Sequence, residues 1–99
     1  MPSDSLRVVA TITAQPDKAD ELKSILLGLM APTRAEAGCL SYQLLQNNSD
    51  PSDFVFVEEW TSDAAIDEHM TTAHLQDAIT QAQSLLAKAP DIRRYSVVA

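Results

Sequence analysis

Twice along this chain the apolar spacing switches from a period of two to one near 3.6 and back, and that double switch limits the fold more than any other feature. Leu6, Val8, Ala10, Ile12 and Ala14 alternate with Arg7, Val9, Thr11, Thr13 and Gln15, the pattern of a strand with one face on a core. Pro16 and Asp17 end it. Leu22, Ile25, Leu26, Leu29 and Met30 then recur at helical spacing and form one amphipathic stripe. Pro32 removes a bond to the Gly28 carbonyl, so a kink is expected there, and Gly38 is placed to take a left-handed cap after a helix ending near Ala37. Strands are expected over residues 39–46 and 54–61, joined by the turn-forming cluster at 47–53.

The second half repeats the order. Thr61 or Ser62 can cap a short helix carrying Ala65, Ile66, His69 and Met70, and Thr72 can cap a longer one with Leu75, Ala78, Ile79, Ala82 and Leu86 on one side. After Pro90, residues 92–98 are β-branched and aromatic enough for a last strand. The order βαββαβ predicts an α+β, ferredoxin-like fold: a four-stranded antiparallel sheet with its helices on one face. Val55 and Val57, with Val9, leave apolar surface on the other face, which predicts a homodimer through the open sheet face.

Ninety-nine residues suit a single domain over 1–99. The net charge of -7, with seven scattered Lys and Arg, argues against nucleic acid and favours a neutral or apolar small molecule. Residues 1–5 begin no apolar run, so neither a signal peptide nor a membrane partner is expected, and with a lone Cys39 the cytoplasm is the expected compartment. Disorder is expected only in those first five residues.

Glu58 and Trp60, two apart on a strand, point the same way and could line one cavity as carboxylate and aromatic wall. His69 shares a helical face with Ala65 and Ile66. His74, second in its helix, lies where the helix dipole disfavours the imidazolium and leaves the ring available as a base or hydrogen-bond donor. The two histidines are five apart across a capping residue, a spacing that does not suit two ligands on one helix face, so no metal is expected. Tyr42 is either core or a hydroxyl reaching the cavity, and Cys39 reads as a buried thiol. No GxGxxG, P-loop, GxSxG or CxxC motif is present, so no nucleotide, flavin or other cofactor is expected.

Three stretches together resemble the antibiotic biosynthesis monooxygenase domain family: Ala31-Pro32-Thr33-Arg34-Ala35-Glu36-Ala37-Gly38-Cys39-Leu40-Ser41-Tyr42, Phe54-Val55-Phe56-Val57-Glu58-Glu59-Trp60, and His69-Met70-Thr71-Thr72-Ala73-His74. The resemblance is nearest to the quinol monooxygenase branch. It implies a dimeric α/β barrel and an oxidoreductase that uses molecular oxygen on a small phenolic or quinol compound without metal, flavin or haem. His74 or His69 would be the base, with Trp60, Glu58 and Tyr42 binding substrate. Asn occurs only at 47 and 48, away from the positions that antibiotic-pathway and haem-degrading members use, so haem degradation is not implied. A related branch that processes a phosphorylated signalling sugar has a similar His-x-x-Thr-x-His element, which leaves an isomerase-type enzyme with Arg34, Arg93 or Arg94 as phosphate clamp as an alternative. A non-catalytic dimeric binding module is another.

Overall fold

The computed structural model describes residues 5–99. Its elements are β1 (Leu6–Thr13), α1 (Ala19–Leu27), α2 (Met30–Arg34), β2 (Cys39–Asn47), β3 (Asp50–Trp60), α3 (Asp63–His69), α4 (Ala73–Ala82), a 3-10 turn (Gln83–Leu85) and β4 (Asp91–Ser96). The strands form one antiparallel sheet in the order β2-β3-β1-β4, the ferredoxin-like arrangement expected from the βαββαβ order. Disorder of the first five residues falls outside the described residues for 1–4. Ser5 itself is buried, and its hydroxyl bonds the Glu59 carboxylate at 2.9 Å.

The period-two pattern of β1 assigns its faces as expected. Val8, Ala10 and Ile12 are buried on the helix side with Phe54, Phe56 and Trp60 of β3, opposite Leu22 and Leu26 of α1 and Leu29. Val9, Val55 and Val57 share the uncovered face, where Leu45 is 49% exposed.

Several local expectations are corrected. The helical stripe breaks at Gly28 and Leu29, before Pro32; the proline then occupies the first turn of α2, where a missing N–H costs no intrahelical bond. That helix ends at Arg34 rather than near Ala37, and Gly38 is not left-handed. The cluster at 47–53 is mostly strand: Asn47 pairs with Asp50 after a bulge, leaving Asn48 and Ser49 as the turn, and Asn47 Oδ1 accepts from the Ser49 N–H. Leu85, not Leu86, is the buried residue after α4, because the 3-10 turn rotates the stripe. The final strand stops at Ser96, two residues short of Val98.

Gly38 serves close approach instead of backbone freedom. A Cβ there would lie 2.4 Å from Cβ of Ala65 on α3. Gly38→Ala is therefore expected to destabilise the fold by about 1–3 kcal/mol, checked by urea unfolding, because the backbone and α3 must separate to admit the methyl group. An unchanged midpoint would mean that α3 is not seated against this turn.

Candidate functional site

Two caps place the histidines. Ser62 Oγ accepts from the Ala65 N–H at the start of α3, so His69 becomes its last residue, over buried Ile66. Thr72 Oγ1 accepts from the Leu75 N–H and donates to the His69 carbonyl at 2.8 Å, so one hydroxyl caps α4 and closes off α3. The chain turns at Met70 to Thr72, and the two imidazoles that the spacing kept apart converge on one carboxylate oxygen. Glu36 Oε2 lies 2.6 Å from His69 Nδ1 and 2.8 Å from His74 Nε2.

As a carboxylate Glu36 only accepts, so both of those ring nitrogens carry hydrogens. In neutral His69 the lone pair then sits on Nε2, the nitrogen turned away from Glu36, with no hydrogen-bond partner among the described residues, and the His69 ring lines the cavity. Glu36 thereby fixes the tautomer that leaves the unprotonated nitrogen on the side of the ring away from the carboxylate.

The cavity lies between the sheet and α1, α3 and α4, with a volume of about 420 Å³, within the range of small-molecule sites. Val8, Ala10, Ile12 and Phe56 form its floor, and Leu29, Leu75 and Ala78 belong to the opposite wall. Its polar groups are few: His69, Glu58 and Tyr42 inside, and Gln83 and Lys88 towards the end formed by α4 and the residues after it.

Glu58 is buried on the central strand β3, and Trp60 Nε1 donates to its Oε1 at 2.8 Å. Desolvation pushes its carboxyl up to about 7; the Trp60 bond opposes this, and nearby Glu36 adds to it. Near neutral pH this group therefore exists in both forms and can give or take a proton. Tyr42 stacks on Phe56 with ring centroids 4.9 Å apart. Burial, with Glu58 adding to it, raises its phenol well above the usual value, so it stays a neutral donor.

The structure thus assembles Glu58, Tyr42 and His69 on one cavity, and it places two other expected site residues elsewhere. Trp60 is wholly buried and does not line the cavity; it supports His69 from behind, with centroids 4.6 Å apart, and anchors Glu58. His74 is likewise off the cavity, on the far side of Glu36, half-exposed. The space between Trp60 and His74 is filled by the His69 ring. Cys39 is half-buried, and desolvation first, then Glu58 and Glu36, push its thiol up, away from nucleophilic character.

The arginines of a phosphate clamp are engaged elsewhere. Arg34 donates to the Tyr42 carbonyl at 2.8 Å, Arg93 pairs with Asp91, and Arg94 pairs with Asp63 and Asp67. None of the three lines the cavity.

Glu36 is the residue that sequence reasoning missed. Nothing in its spacing points to residues 33 and 38 positions away. The one available signal was a carboxylate just beyond a helix C-terminus, where the dipole disfavours negative charge.

Residues 5–81 match the family model described as antibiotic biosynthesis monooxygenase. Among curated relatives, sll1783 of Synechocystis sp. (strain ATCC 27184 / PCC 6803 / Kazusa) is 31% identical over 95% of this chain, which spans 64% of that protein's length. YcnE of Bacillus subtilis (strain 168), which has monooxygenase in its name, is 33% identical over 86% of this chain and 90% of its own. The crystal structure of PA3566 from Pseudomonas aeruginosa superposes with a TM-score of 0.92 at 38% identity, covering 100% of this chain and 99% of that one. With the ferredoxin-like sheet and a cavity under its helices, these matches establish that the chain belongs to the antibiotic biosynthesis monooxygenase family.

Proposed function

We propose that this protein is a single-domain, cytoplasmic, cofactor-independent monooxygenase that oxidises a small phenolic or quinol compound with molecular oxygen. The observation that supports the reading is His69, held by Glu36 through Nδ1 and lining an apolar cavity. A phenol buried there loses its proton to Nε2, and the electron-rich anion passes one electron to oxygen. The radical pair joins through a carbon–oxygen bond at a ring carbon that carries a hydrogen, and the distal peroxide oxygen takes the proton back; loss of that C–H proton with cleavage of the O–O bond then releases water and leaves the proximal oxygen as a carbonyl. Apolar walls exclude bulk water from these intermediates. Glu58, able to hold a proton near pH 7, and the Tyr42 hydroxyl orient the substrate oxygen.

The test is oxygen consumption by chelator-treated protein with a panel of hydroquinones and anthrone-like phenols. Uptake that depends on protein and substrate supports the reading; none across the panel refutes it.

Homodimerisation belongs to the same proposal, and the apolar strip of Val9, Val55, Val57 and Leu45 on the uncovered sheet face supports it. Sedimentation equilibrium is expected to give twice the chain mass for the parent and the single mass for Val57→Lys. A monomeric parent at micromolar concentration refutes the dimer.

A further inference from the structure

We propose that Glu36, His69 and His74 form a binding site for a borderline divalent transition metal, zinc above all, and that occupation of this site switches off the cavity's base. The donors come from three segments: the turn after α2, the end of α3 and the first turn of α4. Their ligating atoms all lie within 4.8 Å of one another, and two of the three separations are already 2.6 and 2.8 Å. A tetrahedral zinc with bonds of about 2.0–2.1 Å asks for donors about 3.3 Å apart. Small side-chain torsions that draw the two nitrogens together and the carboxylate back reach that spacing. Two imidazoles and one carboxylate suit zinc or copper and not the oxygen-seeking calcium or magnesium. The His74 side chain is 26% exposed, so a metal can enter from the solvent side without passing through the cavity, and water can take the remaining position.

Occupation alters the chemistry of His69 in a defined way. With Nδ1 on the metal, the ring's hydrogen must sit on Nε2. Nε2, the nitrogen turned away from Glu36, changes from acceptor to donor and can no longer take a proton from a phenol. This consequence for turnover rests on the function proposed above; binding itself does not.

The whole protein, freed of metal by chelation, is titrated with Zn²⁺ by calorimetry and with Co²⁺ by visible absorption. One equivalent of Zn²⁺ is expected to bind in the micromolar range, with a Co²⁺ band of low coordination number. His74→Ala and Glu36→Gln are each expected to weaken binding at least about tenfold, the size that loss of even an outer partner has. Circular dichroism checks that both variants fold, and His74→Gln replaces His74→Ala if that one does not. No binding by the parent below millimolar Zn²⁺, or equal binding by the variants, overturns the site. Oxygen uptake is expected to fall in step with zinc occupancy, and occupancy without inhibition overturns the switch. A parent with no uptake on any phenol refutes the oxygenase reading, while the binding isotherm still decides the metal site.

Discussion

Replacing His69 by alanine is expected to lower oxygen uptake about 10²- to 10⁴-fold, the span that a positioned general base contributes. The apolar walls that bind an aromatic ring would remain, so the loss should fall on kcat more than on KM. Glu36→Gln is expected to come close to the same loss although it changes no atom lining the cavity. An amide can present N–H to Nδ1 of His69 and stabilise the tautomer with its hydrogen on Nε2, which no longer accepts a proton. His74→Ala removes only the second donor to Glu36 Oε2, leaving the 2.6 Å bond to His69, and is expected to cost no more than about tenfold. Steady-state oxygen-electrode kinetics on the three variants check the order. Parent-like turnover in His69→Ala would remove the base from the mechanism.

Glu58→Gln is expected to stabilise the protein at alkaline pH. The carboxyl of Glu58 rises from 4.5 to about 7 on folding, chiefly through desolvation. A carboxyl with a raised folded-state pKa binds its proton more tightly in the native state. The stability tied to that proton is fully present below pH 4.5 and is lost as pH rises through 7. The shift corresponds to about 3 kcal/mol. Glutamine keeps an oxygen to accept from Trp60 Nε1 and cannot ionise. Relative to the parent, the variant should therefore gain about 3 kcal/mol between pH 4.5 and pH 8, most of it by pH 7. Urea unfolding of both proteins at those two values measures it. Parallel pH dependences would mean that Glu58 is solvated in the native protein.

The two predictions concern neighbouring groups on one cavity, both held by Trp60. His69 supplies a proton acceptor at a position fixed by Glu36, and Glu58 supplies a carboxyl whose ionisation the apolar walls oppose. Both follow from where the backbone carries these side chains: His69 at the close of α3, Glu58 on a central strand with Trp60 beside it.

The alternation from Leu6 to Ala14, the helical stripes and the caps at Ser62 and Thr72 determined the element order, and the alternation in β1 and β3 determined their buried faces. These are local signals: a period of two or 3.6 is set by backbone geometry, and a capping hydroxyl acts within three residues. The facing of Glu58 and Trp60 was legible for the same reason, since residues two apart on a strand share a side whatever surrounds them. Local chemistry misled where a longer-range contact governed. Gly38 looked like a left-handed cap, but the close approach of Ala65 accounts for it; residues 47–53 looked like a loop, but pairing between β2 and β3 extended nearly to the turn.

Only the tertiary structure decided which histidine faces the cavity and what holds it. The separation of five between His69 and His74 spans a helix break, and the angle between the helices, not the spacing, brings both rings to Glu36. The tautomer of His69 depends on a contact 33 residues away, and the burial that raises Glu58 and the withdrawal of Trp60 behind the ring depend on how the helices pack on the sheet. No periodicity in the chain encodes a contact of that range, because it arises from how α2, α3 and the sheet fill space together.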